Sequence, residues 1–130
     1  MSTIIGTWAL VHTVTKDADG RDHPSLFGPK SMGRATFNAD GRMMAVLCDG
    51  RAELPANTPR DYVSYCGNYT FDGERLITRV DATSDAPRMG TDQIRAVRFE
   101  GSRMVLAPPP RAVGELTLHR ELYWERISEV

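Results

Sequence analysis

The chain has 130 residues, enough for one domain with a buried core, and its 16 basic and 17 acidic side chains give a formal charge of −1. The two signs are interspersed, which argues against a surface for nucleic acid or anionic membrane. No apolar run approaches the roughly 20 residues of a membrane span, and strand-like sequence from about Ile4 leaves no room for a signal peptide, so we expect a cytoplasmic protein.

The sequence contains two cysteines, Cys48 and Cys66, and neither belongs to a CxxC motif or a Cys/His cluster. They fit reduced thiols better than a disulfide framework, and a zinc site is not expected. The sequence also lacks a Gly-rich phosphate loop, a GxSxG motif and an HExxH motif. We therefore expect no cofactor and no bound metal.

Short runs of alternating apolar and polar residues follow one another along the chain, and no stretch of ten or more residues has helical periodicity. One helical turn is expected, in TPRDYV, with Thr58 as the cap and Pro59 at the first helical position. The predicted strands are Gly6–Thr15, Met32–Asn38, Arg42–Cys48, Val63–Phe71, Arg75–Thr83, Thr91–Glu100, Arg103–Ala107 and Glu115–Ile127.

The connections between these strands alternate between tight and long. The tight ones are NADG, Asp72-Gly73 and Glu100-Gly101, and the long ones are residues 16–30, 49–62, 84–89 and 108–114. In an up-and-down antiparallel sheet, this alternation puts the tight turns at one end, the floor, and the long loops at the other, the mouth. Eight such strands close into a barrel just wide enough for one small ligand. We predict an all-β fold, an eight-stranded antiparallel up-and-down barrel formed by residues 1–130 as one domain.

Five segments in a fixed order carry a resemblance to a known family. They are Gly6-Thr7-Trp8, FNADGRM, YCGNYTFDG, GTDQIRAVRFEG and LYWER. The chain resembles the small bacterial lipocalin-like domain family, which implies a calycin-type barrel with an interior cavity but no single reaction. The resemblance also implies that Trp8 packs at the floor beneath Arg126, a cation–π contact worth on the order of 1 kcal/mol.

Side chains alternate across a strand, so one anchored residue predicts which others share its face. If Trp8 points inward, Leu10, His12 and Val14 point inward as well. His23 and His119 are expected to be exposed. The other predicted inward residues are Tyr65, Gly67, Tyr69, Phe71, Leu116, Leu118, Arg120, Leu122 and Trp124.

Arg95 and Gln93 fall on the inner face of the sixth predicted strand, toward the mouth. The rest of that face is apolar and contains Val97, Phe99, Met104 and Leu106. A two-residue turn at Glu100-Gly101 would place Val97 opposite Met104 and Arg95 opposite Leu106. An unpaired buried guanidinium is costly, so Arg95 must reach water, find a counter-charge or bind a ligand.

The hairpin at Asp72-Gly73 leaves two registers open. A two-residue turn pairs Tyr69 with Leu76 and Tyr65 with Val80, and it directs Arg79 and Asp81 outward. A three-residue turn would direct Asp81 inward, as a partner for Arg95. The two-residue turn is favoured because it collects Leu76, Val80 and Ala82 inside.

Three functions fit these residues. The first is binding of a small, largely apolar molecule with an acidic or carbonyl oxygen. The second is a cofactor-free isomerase, cyclase or lyase in which Arg95 and Tyr65 stabilise an oxyanion and His12 moves a proton. The third is a structural barrel filled by its own side chains, in which Arg95 serves an internal network and His12 and the tyrosines are ordinary core residues. The expected ligand-binding residues are Leu10, His12, Tyr65, Tyr69, Gln93, Arg95, Val97, Met104, Leu106, Leu118 and Arg120.

Overall fold

The alternating runs form β-strands that close into a barrel in the computed structural model, which describes residues 3–129. The strands pair antiparallel in the order β1-β2-β3-β4-β5-β6-β7-β9, and β9 pairs with β1 to close an eight-stranded ring. The short β8 pairs only with the start of β9. The bounds are β1 Gly6–Lys16, β2 Ser31–Phe37, β3 Arg42–Asp49, β4 Tyr62–Phe71, β5 Arg75–Thr83, β6 Asp92–Glu100, β7 Arg103–Ala107, β8 Arg111–Val113 and β9 Leu116–Ser128.

The eight predicted strands and the predicted barrel are confirmed, and every predicted strand end lies within one residue of the observed one. The helical turn predicted at Thr58 is wrong. That segment forms a tight turn in which the Thr58 N–H donates to the Pro55 carbonyl at 3.1 Å, with Asn57 in the left-handed region. The helical turn lies instead at Ala86–Arg88, a short 3-10 helix in the loop between β5 and β6.

Two tight turns lie one residue later than predicted, over Gly73-Glu74 and Gly101-Ser102. Both glycines have positive φ, 102° and 60°, and glycine at the first central position is the type II′ hairpin pattern. The predicted pairings at these hairpins are therefore wrong by two residues. In the first hairpin, Phe71 pairs with Leu76 and Tyr69 pairs with Thr78. A shift of two residues leaves every side chain on its predicted face. The observed pairs of the second hairpin are Val97 with Leu106 and Phe99 with Met104.

Three irregularities interrupt the pairing of the ring, one of them at Ile127 near the end of β9, and the other two are β-bulges that change the face of residues considered above. In β1, Leu10 pairs with Trp124 and His12 pairs with Tyr123, so Val11 between them is an extra residue with no partner on β9. In β5, Asp81 is the extra residue, and Ala82 beyond it is exposed rather than inside as predicted. A bulge of one residue reverses the alternation, which an argument that counts by twos does not detect.

Side chains of the chain itself fill much of the barrel, from Trp8 at the floor to Thr78 and Val80 nearer the mouth. Arg126 lies over the Trp8 ring at 4.3 Å from its centroid, which confirms the predicted contact. The Arg126 guanidinium also donates to the carbonyls of Ile5 and Thr3, so the end of β9 holds the segment before β1. The largest fully buried side chains are those of Trp8, Phe37, Met43, Thr78, Val80, Met104, Val105 and Trp124. Within residues 3–129, no helix has the length and apolar character needed to cross a membrane.

Candidate functional site

Four side chains on the mouth side of the barrel form a polar group that we call the mouth cluster: Tyr65, Arg88, Gln93 and Arg95. Tyr65 lies on β4, Gln93 and Arg95 lie on β6, and the 3-10 helix supplies Arg88. The Arg88 guanidinium donates to the Gln93 side-chain oxygen, and its carbon Cζ lies 5.8 Å from the centroid of the Tyr65 ring. The arrangement therefore links β4, β6 and the loop between β5 and β6.

Arg95 has no carboxylate partner among the residues that the structure describes. Its Nη1 donates to the carbonyl of the adjacent Ile94 at 2.8 Å. Burial is the main cause that lowers the pKa of Arg95, and the nearby Arg88 lowers the pKa further, whereas Tyr65 raises it. A guanidinium stays protonated in proteins, so the lowered pKa means that a charged group is held in a place that disfavours it.

Asp81 is not the counter-charge of Arg95. It projects outward from β5 and forms an ion pair with Arg42, with Asp81 Oδ1 at 3.1 Å from Arg42 Nη2. Arg79 also projects outward, with Nε at 2.9 Å from Asp92 Oδ1. Both side chains thus have the outward orientation that the favoured reading of this hairpin predicts. The register shift of two residues noted above does not change it.

His12 does not enter the barrel, and the prediction that it points inward is wrong. The bulge at Val11 turns it to the outer face, where its ring stacks on Tyr123 with centroids 4.3 Å apart and planes at 14°. Thr13 and Thr15 take the inward positions instead of His12 and Val14, and Thr15 is 3% exposed. The group expected to move a proton is therefore separated from Arg95 by the barrel wall.

Tyr69 lies inside the barrel but at the floor, away from the mouth cluster. Its hydroxyl donates to the Asn38 carbonyl at 2.8 Å, and its ring meets Phe37 edge to face at 5.3 Å between centroids. Burial raises the pKa of this phenol. These contacts are those of a core tyrosine that closes the turn between β2 and β3.

The apolar candidates mostly lie on the inner face. Leu116 was predicted to point inward, but it begins β9 in the hairpin with β8 and its side chain is 43% exposed. Arg120 is half-buried on β9, opposite Thr15. The buried apolar members of the predicted ligand-binding set are Leu10, Val97, Met104, Leu106 and Leu118.

Arg88 is a member of the cluster that the sequence did not identify. It lies in a loop, where no alternation predicts the direction of a side chain. The only local signal is Asp85-Ala86-Pro87, because proline is favoured in the first turn of a helix and Asp85 holds Arg88 through Nε at 2.9 Å from Oδ2. Gln93 lies only five residues further along the chain, and the pairing of β4 with β5 brings Tyr65 to the loop that carries Arg88.

The other histidines lie apart from the mouth cluster. His23 is half-buried rather than exposed, and its Nε2 lies 2.9 Å from Asp17 Oδ2 in the loop between β1 and β2. His119 is exposed, as predicted. Within residues 3–129, no three His, Cys, Asp or Glu side chains group in a way that could hold a metal ion.

Comparison with known proteins gives one match. The model of the family described as the lipocalin-like domain matches residues 49–127, which is more than half of the chain. Neither the curated proteins nor the solved structures include a match. The matched segment extends from the end of β3 to the end of β9 and contains the whole mouth cluster.

Proposed function

The chain belongs to the lipocalin-like domain family, and on that premise we propose that it binds a small, largely apolar molecule through an acidic or carbonyl oxygen at the mouth cluster. The observation that carries the proposal is Arg95, a charged side chain on the inner face of β6 with no carboxylate beside it in residues 3–129. The charge of Arg88 is paired with Asp85, so Arg95 is the positive charge of the cluster that has no carboxylate beside it, and it favours an anionic or strongly polarised oxygen. Tyr65 adds a hydroxyl that can donate to the same oxygen.

The inner face below Arg95 is apolar, as a ligand with an apolar end requires. Below Arg95 on β6 and β7, the inner face consists of Val97, Met104 and Leu106, which are all less than 9% exposed. A site of this kind, apolar with a few converging polar groups, is typical of small-molecule recognition. The proposed ligand therefore directs its acidic end to Arg95 and its apolar end toward the floor.

Binding is favoured over the other two functions for a structural reason in each case. The acid–base enzyme depended on His12, which stacks on Tyr123 at the outer face. The form of the structural alternative in which Arg95 serves an internal ion pair lacks its carboxylate, since Asp81 instead pairs with Arg42. Ligand binding is the function that uses the uncompensated charge.

Native mass spectrometry of the protein as purified tests the proposal, with Arg95→Met as the variant and Arg79→Met as the matched control. Arg79 lies on the outer face of β5 and contacts Asp92 and the Gly90 carbonyl, neither of which belongs to the mouth cluster, so its loss changes the net charge equally while the four cluster residues stay in place. We expect a co-purified molecule of small mass on the wild type and on Arg79→Met, and its loss from Arg95→Met. Ligand-free spectra for all three proteins, with Arg95→Met strongly destabilised, would contradict the proposal, because Arg95 would then serve the barrel itself.

A further inference from the structure

Three buried polar atoms lie together on the inner face where β1 meets β9, and none has a hydrogen-bond partner among the described residues. They are Thr13 Oγ1, Thr15 Oγ1 and Arg120 Nε, and we call these residues the β1–β9 cluster. Thr15 pairs directly with Arg120 across the two strands, and Thr13 is the next inward residue of β1. Buried polar groups in native proteins are rarely unpaired, so three at one place require an explanation.

The charges around Arg120 do not supply a partner. Burial is the main cause that lowers the pKa of Arg120, and the second cause is Arg111, a like charge on β8. The Arg120 guanidinium keeps its charge, and its nearest charged influence is repulsive. No carboxylate of the described residues forms an ion pair with Arg120, although three acidic residues line the same groove.

Of the β1–β9 cluster, Arg120 lines a groove at the side of the barrel, and the two threonine hydroxyls lie buried behind it. β7 leaves the wall at Ala107 and the following residues 108–110 are prolines, which have no N–H to continue the pairing. A groove of about 930 Å³ opens at this place, lined by Ile94 and His119 from the outer face and by Val97 and Arg120 from the inner face. Its volume is within the range of small-molecule sites.

The acidic residues of the groove are mostly engaged elsewhere. Asp72 Oδ1 accepts the backbone N–H groups of Glu74 and Arg75 at 2.9 and 2.7 Å. Glu121 binds Arg98 and the hydroxyl of Tyr123 on the outer face. Glu74 also lines the groove, and its carboxylate forms no ion pair or hydrogen bond with another of the residues 3–129.

We propose that Thr13, Thr15 and Arg120 form a second anion-binding position, separate from the mouth cluster. Its ligand is a small amphipathic carboxylate. The carboxylate accepts hydrogen bonds from the guanidinium and the two hydroxyls, and the apolar part lies along the groove beside Ala107 and the prolines. The two positions lie on different strands, since Arg95 belongs to β6 and pairs with Leu76, whereas Arg120 belongs to β9 and pairs with Thr15.

Isothermal titration calorimetry with dodecanoate on ligand-free protein tests the separate position. The proteins are the wild type, Arg95→Met, Arg120→Met and a charge control, Arg103→Met, at the floor end of β7. We expect the wild type and the control to bind two equivalents and each of the other variants to bind one. Loss of a charge-assisted contact weakens an affinity by about tenfold or more, which this titration resolves.

The outcomes separate this proposal from the proposed function. One equivalent that is lost in Arg95→Met and kept in Arg120→Met overturns the second position and supports the first. One equivalent that is lost in both variants also overturns the second position, because a single ligand would then contact both arginines. One equivalent that is lost only in Arg120→Met supports the second position and overturns the first, and no binding by the wild type overturns both.

A Thr15→Val variant tests the same position without changing a charge. Valine has nearly the shape of threonine, and the hydroxyl that it removes has no partner in the described structure, so we expect an unchanged or higher melting temperature. We also expect severalfold weaker dodecanoate binding at one position only. Thr70→Val, at an exposed place on β4, is the control. Unchanged binding by a folded Thr15→Val would contradict the role of the hydroxyl.

Discussion

Replacement of Arg95 by methionine is expected to stabilise the ligand-free protein while it abolishes binding. Methionine fills the space of the apolar stem and removes a charge that burial disfavours and that Arg88 repels. Replacement of buried charged groups by apolar residues of similar volume is neutral or stabilising by ~1 kcal/mol or more. Unfolding has an entropy of about 2.1 cal/mol/K per residue, so a gain of ~1 kcal/mol in a chain of 130 residues raises the melting temperature by about 4 °C.

The assay is thermal unfolding followed by circular dichroism, on protein from which any ligand has been removed. Removal of the ligand is essential, because a bound molecule stabilises the wild type and hides the effect of the charge. Arg79→Met is the control, and its exposed ion pair with Asp92 predicts a change of less than about 1 kcal/mol. A melting temperature that falls by several degrees in Arg95→Met, but not in the control, would refute the reasoning, because Arg95 would then have a stabilising partner.

Three further predictions concern other parts of the barrel. Arg126→Met removes the contact over Trp8 and the bonds to two carbonyls, and should lower the unfolding free energy by about 1–2 kcal/mol in urea denaturation. Asp17→Asn should lower stability at pH 7, because His23 and backbone N–H groups lower the pKa of the Asp17 carboxyl in the folded protein. This stabilisation is present above the ordinary pKa of the carboxyl and is lost as the pH falls through its lowered pKa in the folded state. The difference in stability between variant and wild type should therefore shrink at pH 3. His12→Phe preserves the stack on Tyr123, and ligand binding measured by titration should be unchanged; a loss of binding would place His12 in the site.

The sequence predicted the strands well because alternation is a local property. Each strand of the ring has a buried face, so the pattern of apolar residues marks where it begins and ends. β8 was not predicted, since its three residues are all exposed and carry no such pattern. The two hairpin registers were wrong because the side-chain pattern does not say which turn position the glycine occupies. Gly73 and Gly101 both take the first central position, which shifts the pairing and preserves the faces.

The candidate site was harder to predict, because it depends on features that lie outside the alternation. The bulge at Val11 has no glycine or proline to mark it, and it is detectable only from the pairing of β1 with β9. Arg88 comes from a loop and reaches Tyr65 through tertiary structure alone. By contrast, Arg95 was placed correctly on the inner face, since no irregularity lies between it and the turn at Gly101.

The single extra residue in β1 determines the chemistry of the barrel interior. Without the bulge at Val11, the inward positions of β1 would hold His12 and Val14, and the interior would have a proton-transfer group. With it, those positions hold two threonine hydroxyls, which can donate hydrogen bonds but do not titrate in the neutral range. Thr15 lies opposite Arg120, Thr13 is the next inward residue of β1, and Arg95 is desolvated on β6, so the groups placed inside are donors of hydrogen bonds, as the proposed anion binding requires. The same irregularity that removes the enzymatic interpretation therefore supports the binding one.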